Sequence, residues 1–225
     1  MGKRGPKPRH TLDDLLDAAT ELIAIDGFRV LSMSAVARRL GTSVSGLYRY
    51  VGGLEELVVA LQKRAIEQYR DGLNRAIAAL DEDEATPSDP ATFALRRVVT
   101  SFGYYSEHGE THPASHRLLA AFISEPSVIL SSGAARSVDA TLAGVIAINA
   151  AILTAAREAG ALSEGDDVQR TYLLWASLHG LGQFRKRDRI LPLHLQHAAL
   201  QKRLLYDMLV GFGARAELLD EVLAI

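Results

Sequence analysis

Between Thr42 and Tyr50 the chain gathers groups able to bind a phosphodiester backbone and the edges of bases. The run reads Thr42-Ser43-Val44-Ser45-Gly46-Leu47-Tyr48-Arg49-Tyr50. Its hydroxyls, phenols and guanidinium offer hydrogen bonds to phosphate oxygens, and Val44 offers apolar contact to a thymine methyl. Thr42 or Ser43 caps a helix here, and the free amides of its first turn add donors at the positive end of the helix dipole. Bidentate side chains are scarce in the run, so direct base reading is thin. Arg49 has two open roles, as a phosphate ligand or as a partner of Glu56. A second cationic set, Lys3, Arg4, Lys7 and Arg9, occupies the first ten residues without an acid, although the chain as a whole carries −2. A basic end on a weakly acidic chain points to one polyanion-facing surface.

Other chemistries find less support. There is no cysteine, which removes disulfides, thiolate metal sites and thiol nucleophiles. No phosphate loop or Ser-His-Asp spacing supports catalysis, so neither an enzyme nor a cofactor is expected. His108, His112 and His116 stand at i, i+4 and i+8, a spacing that aligns imidazoles on one helix face. Gly109 and Pro113 interrupt that helix, and no carboxylate completes a set. His194 and His197 are a second loose pair with the same weakness, and no metal is expected. No signal-peptide pattern is present. The longest apolar run, Leu142 to Ala156, includes Asn149 and Thr154 and falls short of the about 20 residues of a membrane span. A buried helix in a cytoplasmic protein with no membrane partner is the expectation.

The elements that position these groups are helical throughout. Residues 1–10 form a basic arm, because Pro6 and Pro8 lack amide donors and push their predecessors toward extended geometry. Thr11 caps a first helix, with Asp13 and Asp14 in its first turn. Leu12, Leu15, Leu16, Ala19, Leu22 and Ile23 make its apolar stripe, and Gly27 stops it. Ser32 caps a short second helix through Val36, Ala37 and Leu40, ended by Gly41. The third runs Val44 to Val51, broken by Gly52-Gly53. A long fourth spans Leu54 to about Leu80. The acidic stretch Asp81 to Pro90 reads as a surface loop. Helical patterns resume at about 91–107, 113–124, 134–159, 167–187, 195–212 and 214–224, with no strand and no repeat. The fold expected is all-α, of about nine to ten helices, in three parts: arm 1–10, helix-turn-helix domain 11–53, and a helical ligand-binding and dimerisation domain 54–225. Two short helices joined by a tight glycine turn, with Ala37 at their contact, are the construction of a helix-turn-helix whose second helix enters the major groove.

The block from Glu21 to Leu57 resembles the tetracycline-repressor (TetR) family of regulators. The resemblance is carried by Gly27-Phe28, the Ser32 cap, Val36-Ala37, Gly41-Thr42-Ser43, Leu47-Tyr48-Arg49-Tyr50 and Leu54-Glu55-Glu56-Leu57. It implies phosphate contacts from Thr42 and Tyr48, base-facing positions at Val44, Ser45 and Tyr50, and backbone proximity for Ser32 and Ser34. Two features depart from the family. A lysine usual just before the fourth helix is absent from Gly52-Gly53-Leu54, and position 34 is Ser where Arg is frequent. Both departures move weight onto the arm.

Further on, Trp175-Ala176-Ser177-Leu178-His179-Gly180 resembles a Trp-x-x-x-His-Gly pattern of one branch of the family. The resemblance implies a homodimer on a pseudo-palindromic double-stranded operator, released by a small effector. The dimer candidates are Leu174, Leu178, Leu181, Gly182, Leu200, Leu204 and Met208, with monomer core as the competing reading. The candidates for an effector cavity are Phe93, Phe102, Tyr105, His116, Leu119, Phe122, Ile123, Ile148, Ile152, Trp175 and His179. Their composition suits an apolar or aromatic ligand, and core packing is again the alternative. An activator, or a regulator without an effector, remains open on the same fold.

Overall fold

Helix α1 (Leu12–Asp26) starts where Thr11 accepts a hydrogen bond from the Asp14 amide while the Asp14 carboxylate accepts from the Thr11 amide, a closed capping box. It ends at Gly27, whose φ of 79° a side chain would disfavour. The structure, a computed structural model, describes residues 10–83, 89–124 and 130–224, with nothing described of the side chains at 122–124. The further helices are α2 (Met33–Leu40), α3 (Val44–Leu47), α4 (Leu54–Asp83), α5 (Pro90–Thr111), α6 (Pro113–Ser124), α7 (Ser132–Glu158), α8 (Asp167–Gly182), α9 (His197–Gly211) and α10 (Ala216–Leu223). All regular structure among the described residues is helical, as the periodicity predicts.

The chain packs as two units. The first contains the segment up to Gln68 together with His112–Thr141; the second contains Tyr69–Thr111 and the chain from Leu142 onward. These packing units do not follow the expected division between residues 53 and 54. The reason lies in α4: it is one unbroken helix whose first half is bonded into the core of the helix-turn-helix. Leu57, Val58, Leu61 and Ala65 join Leu15, Ala19, Ile23, Val36, Ala37 and Leu47 in one apolar cluster, which Leu118 of α6 completes. Arg117 donates to the Ala24 carbonyl at 2.7 Å and fixes α6 to the end of α1.

The apolar run Leu142 to Ala156 lies within α7. The helix has 27 residues, and its most apolar 18-residue stretch, of mean hydropathy 1.8, passes for a span by length and composition alone. Val138, Leu142, Val145, Ile146, Ile152, Leu153 and Ala156 are buried at helical spacing, which is the pattern of a core helix.

In the second unit, the turn between α7 and α8 is tied by charge. Asp167 accepts from Thr154 at 2.9 Å, from Arg157 at 3.1 Å and from Arg170 at 3.1 Å. Arg170 also donates to the carbonyls of Ser163 and Glu164, and its guanidinium lies 5.0 Å from the centre of the Phe212 ring. Burial alone would raise the Asp167 carboxyl, but these hydrogen bonds outweigh it and hold the group below its usual value.

Candidate nucleic-acid interface

The geometry of the helix-turn-helix follows from its caps. Ser32 accepts from the Ala35 amide at 3.1 Å and opens α2. At the other end the Gly41 amide donates to Arg38 (3.2 Å) and the Thr42 amide to Ala37 (3.0 Å), a Schellman closure with Gly41 left-handed at φ 63°. Ser43 then caps α3 by accepting from the Gly46 amide at 3.2 Å, and its hydroxyl lies 3.0 Å from that of Ser45. Gly46 has little spare room, since a Cβ there would stand 3.1 Å from the Thr42 hydroxyl. Leu47 anchors α3 from below at 1% exposure, while Tyr48 stands 55% exposed. One turn of helix therefore presents Ser43, Ser45, Tyr48 and Arg49 to solvent, with Thr42 and Gly46 half-buried beside them.

Three sequence candidates are partly committed elsewhere. Val44 is half-buried against the apolar cluster, which leaves only part of it for a base. Tyr50 packs on the same cluster, and its hydroxyl donates to the His10 carbonyl. Of the two roles open to Arg49, the pairing with Glu56 is not formed. Arg49 donates to the Gly46 carbonyl at 3.3 Å and lies over the Tyr50 ring, while the Glu56 carboxylate accepts from the Gly52 amide. Lys3, Arg4, Lys7 and Arg9 lie outside the described residues.

Sequence reasoning passed over Arg38. It shares the exposed face of α2 with Ser34, one turn earlier. Arg39 is tied to Glu21, and Arg64 to Asp17 at 2.8 Å. Arg38 has no such partner among the described residues, so α2 does present a cation on the face where Ser34 stands. The i, i+4 spacing from Ser34 was the available signal.

The effector candidates fall in both units. His116 is half-buried and Leu119 buried in the first, and the side chains of Phe122 and Ile123 lie outside the described set. In the second, Tyr105 and the Nδ1 of His179 are hydrogen-bonded at 2.8 Å, both buried. Trp175, one turn before His179, is half-buried on the same face of α8 as His179, so the Trp-x-x-x-His spacing has a local use in holding Tyr105. Phe102 is buried and Phe93 half-buried. Ile148 and Ile152 line a groove of about 370 Å³ with Asn74, Asp81 and Arg97. Of the histidines at 108, 112 and 116, the first lies in the last turn of α5 and the last in α6; among the described residues no group of three metal-ligating side chains is assembled.

Burial holds the His179 imidazole below its usual value, and burial followed by the nearby Arg185 does the same for His197. The unfolded chain titrates near about 6.5. Below that pH the unfolded chain takes up protons first, so stability is full above it and declines as pH falls toward the lower folded-state values. The melting temperature is expected to drop between pH 7.5 and 5.5, and to drop less steeply in His179→Asn. Parallel slopes for the two proteins would remove His179 as a source.

Residues 15–61 match the family model for bacterial regulatory proteins of the tetR family. Over that segment the chain is similar to the TetR family. A 55-residue stretch is 49% identical to the HTH-type transcriptional repressor DrrR1 of Streptomyces coeruleorubidus, covering 24% of this chain and 20% of that protein's length. The chain thus spans only a fifth of that curated relative. The fold extends much further. The fatty acid degradation regulator FadR of Bacillus halodurans superposes with a TM-score of 0.66 at 18% identity, over 95% of this chain and 100% of that one. FadR of Bacillus subtilis, solved in complex with stearoyl-CoA, gives 0.62 at 20% identity over 89% and 99%.

Two of the residues expected at a dimer surface lie inside the fold. Leu174 and Leu178 are 0% and 1% exposed, so they fill the core of their own subunit. Leu181, Gly182, Leu200, Leu204 and Met208 are half-buried. The open face of α8 is the opposite one, Val168, Tyr172, Leu173, Ala176 and Gly180, with Val210 exposed on α9. Helix α8 is apolar on both sides, and its spacing alone does not say which stripe faces inward.

Proposed function

We propose that this chain is a homodimeric transcriptional repressor that binds a pseudo-palindromic operator and leaves it when a small, apolar or aromatic effector binds. The observation that carries the reading is the capped turn of α3, which exposes Ser43, Ser45, Tyr48 and Arg49 over a rigid apolar base. Such a surface binds phosphates firmly and reads bases sparingly. Support also comes from the repressor name of the relative that shares the segment, and from the stearoyl-CoA complex of a protein with the same fold. An effector releases DNA only through unequal affinity for two conformations, which shifts the population away from the binding form. Helix α4 contributes residues to both packing units, as does α7, and the chain also passes between the units at Thr111–His112. A footprint on DNA flanking the gene should show one palindromic site that added effector erases. Ligand saturation without loss of operator affinity would overturn induced release.

Dimerisation is assigned to the open apolar face of α8. Leu173→Glu is expected to shift the protein to monomer in sedimentation and to weaken operator binding by at least about tenfold, because a half-site alone forfeits the linkage between two heads. A dimer that survives this charge would place the interface elsewhere.

A further inference from the structure

We infer that the groove of the second unit takes a neutral molecule with a hydroxyl or amide head and an apolar body, and rejects carboxylates and amines. The inference rests on the effector reading above and names the ligand class for it. The groove lies between the end of α4, the start of α5 and the second half of α7. Its volume of about 370 Å³ is at the small end of ligand sites, which run from ~300 to ~1,000 Å³. Ile77, Ile148 and Ile152 form apolar walls, with Ala151 and Ala155 keeping the α7 side low.

The polar end is a single ion pair. Arg97 Nε and Asp81 Oδ1 are 3.5 Å apart, beyond the ~2.7–2.9 Å of a charge-assisted hydrogen bond. Both atoms are shielded from solvent, and neither has a hydrogen-bond partner among the described residues. A donor and an acceptor are thus left side by side, unsatisfied, at the edge of an apolar groove. One group satisfies both: a hydroxyl donates its proton to Asp81 Oδ1 while its oxygen accepts from Arg97 Nε. A primary amide does the same with its N–H and carbonyl. The exposed Asn74 flanks the site and adds a further donor and acceptor. The pair sums to zero charge, so a carboxylate meets Asp81 and an ammonium meets Arg97 with no surplus counter-charge to hold either.

Calorimetric titration of the full-length protein with 1-decanol, decanoate and decylamine tests this. Decanol is expected to bind roughly tenfold more tightly than either charged analogue, the scale of a hydrogen bond to a charged group. In Asp81→Ala/Arg97→Ala that preference should vanish, and in Ala151→Phe all three should lose binding, because the ring fills the groove from an exposed position that does not test folding. Equal or tighter binding of decanoate or decylamine, no decanol binding, a preference that persists in the double variant, or binding unaffected by Ala151→Phe each overturns the inference. Operator affinity measured without any probe separates this outcome from failure of the repressor reading, since the groove plays no part in that measurement.

Discussion

Asp167→Ala should lower the unfolding free energy by about 3–5 kcal/mol, the usual cost of removing one partner from a buried ion pair. The side chains of Asp167 and Arg170 are only 7% and 9% exposed, and Arg157 is held by the same carboxylate. Alanine leaves the Arg170 guanidinium buried with two carbonyls and a ring face but no counter-charge. Urea unfolding followed by circular dichroism measures the loss. Replacing both partners by apolar residues, Asp167→Leu with Arg170→Met, should recover much of it, because no unpaired charge remains. A loss below about 1 kcal/mol in the single variant would mean that water reaches the site and screens the pair.

Deleting residues 2–9 should be the most damaging change to operator binding that leaves the folded core intact. The segment carries Lys3, Arg4, Lys7 and Arg9. If each neutralises one phosphate, the slope of log K against log salt becomes shallower by up to about 3.6, and affinity at low salt falls by orders of magnitude. The start of α4 makes this dependence stronger. Where relatives of the family carry a lysine, this chain spends two carboxylates on backbone amides, Glu56 on Gly52 and Glu55 on Ser131 at 2.6 Å. The segment from Val51 to Leu57 contains no Lys or Arg to share the load. An unchanged salt slope in the truncated protein would show that the arm does not touch the backbone.

Most of the helices were legible because capping residues and glycines announce their ends. Thr11, Ser32, Ser43, Gly27 and Gly41 all act as their types predict. The third helix is shorter than its pattern, one turn, because Tyr48, Arg49 and Tyr50 continue as turns after Ser43 and Gly46 have closed. What periodicity could not resolve is direction. Helix α8 has apolar residues on both faces, so Leu174 and Leu178 read as interface when they are core. The Asp167 cluster was invisible for a different reason: Thr154 and Arg157 reach the carboxylate only because the chain turns back between α7 and α8, and Phe212, 42 residues beyond Arg170, meets its guanidinium only through the fold. The same holds for the Asp81 and Arg97 pair, where one member falls in a stretch that reads as an acidic surface loop yet continues α4 as far as Asp83.

The hydrogen bond from Tyr50 to the His10 carbonyl gives the chain a fixed point of departure beside α3. Lys3, the farthest of the four cations, lies seven residues before it, within a contour of at most about 25 Å. If the proposed repressor reading holds, cations this close in the chain act at an operator at an effective concentration in the millimolar range once α3 has docked. Phosphate contacts from them would then lengthen each stay on DNA, at specific and random sites alike, without sharpening the choice between them. Cutting the Tyr50 bond, as in Tyr50→Phe, should therefore shorten dwell time while leaving the ratio of specific to non-specific affinity nearly unchanged.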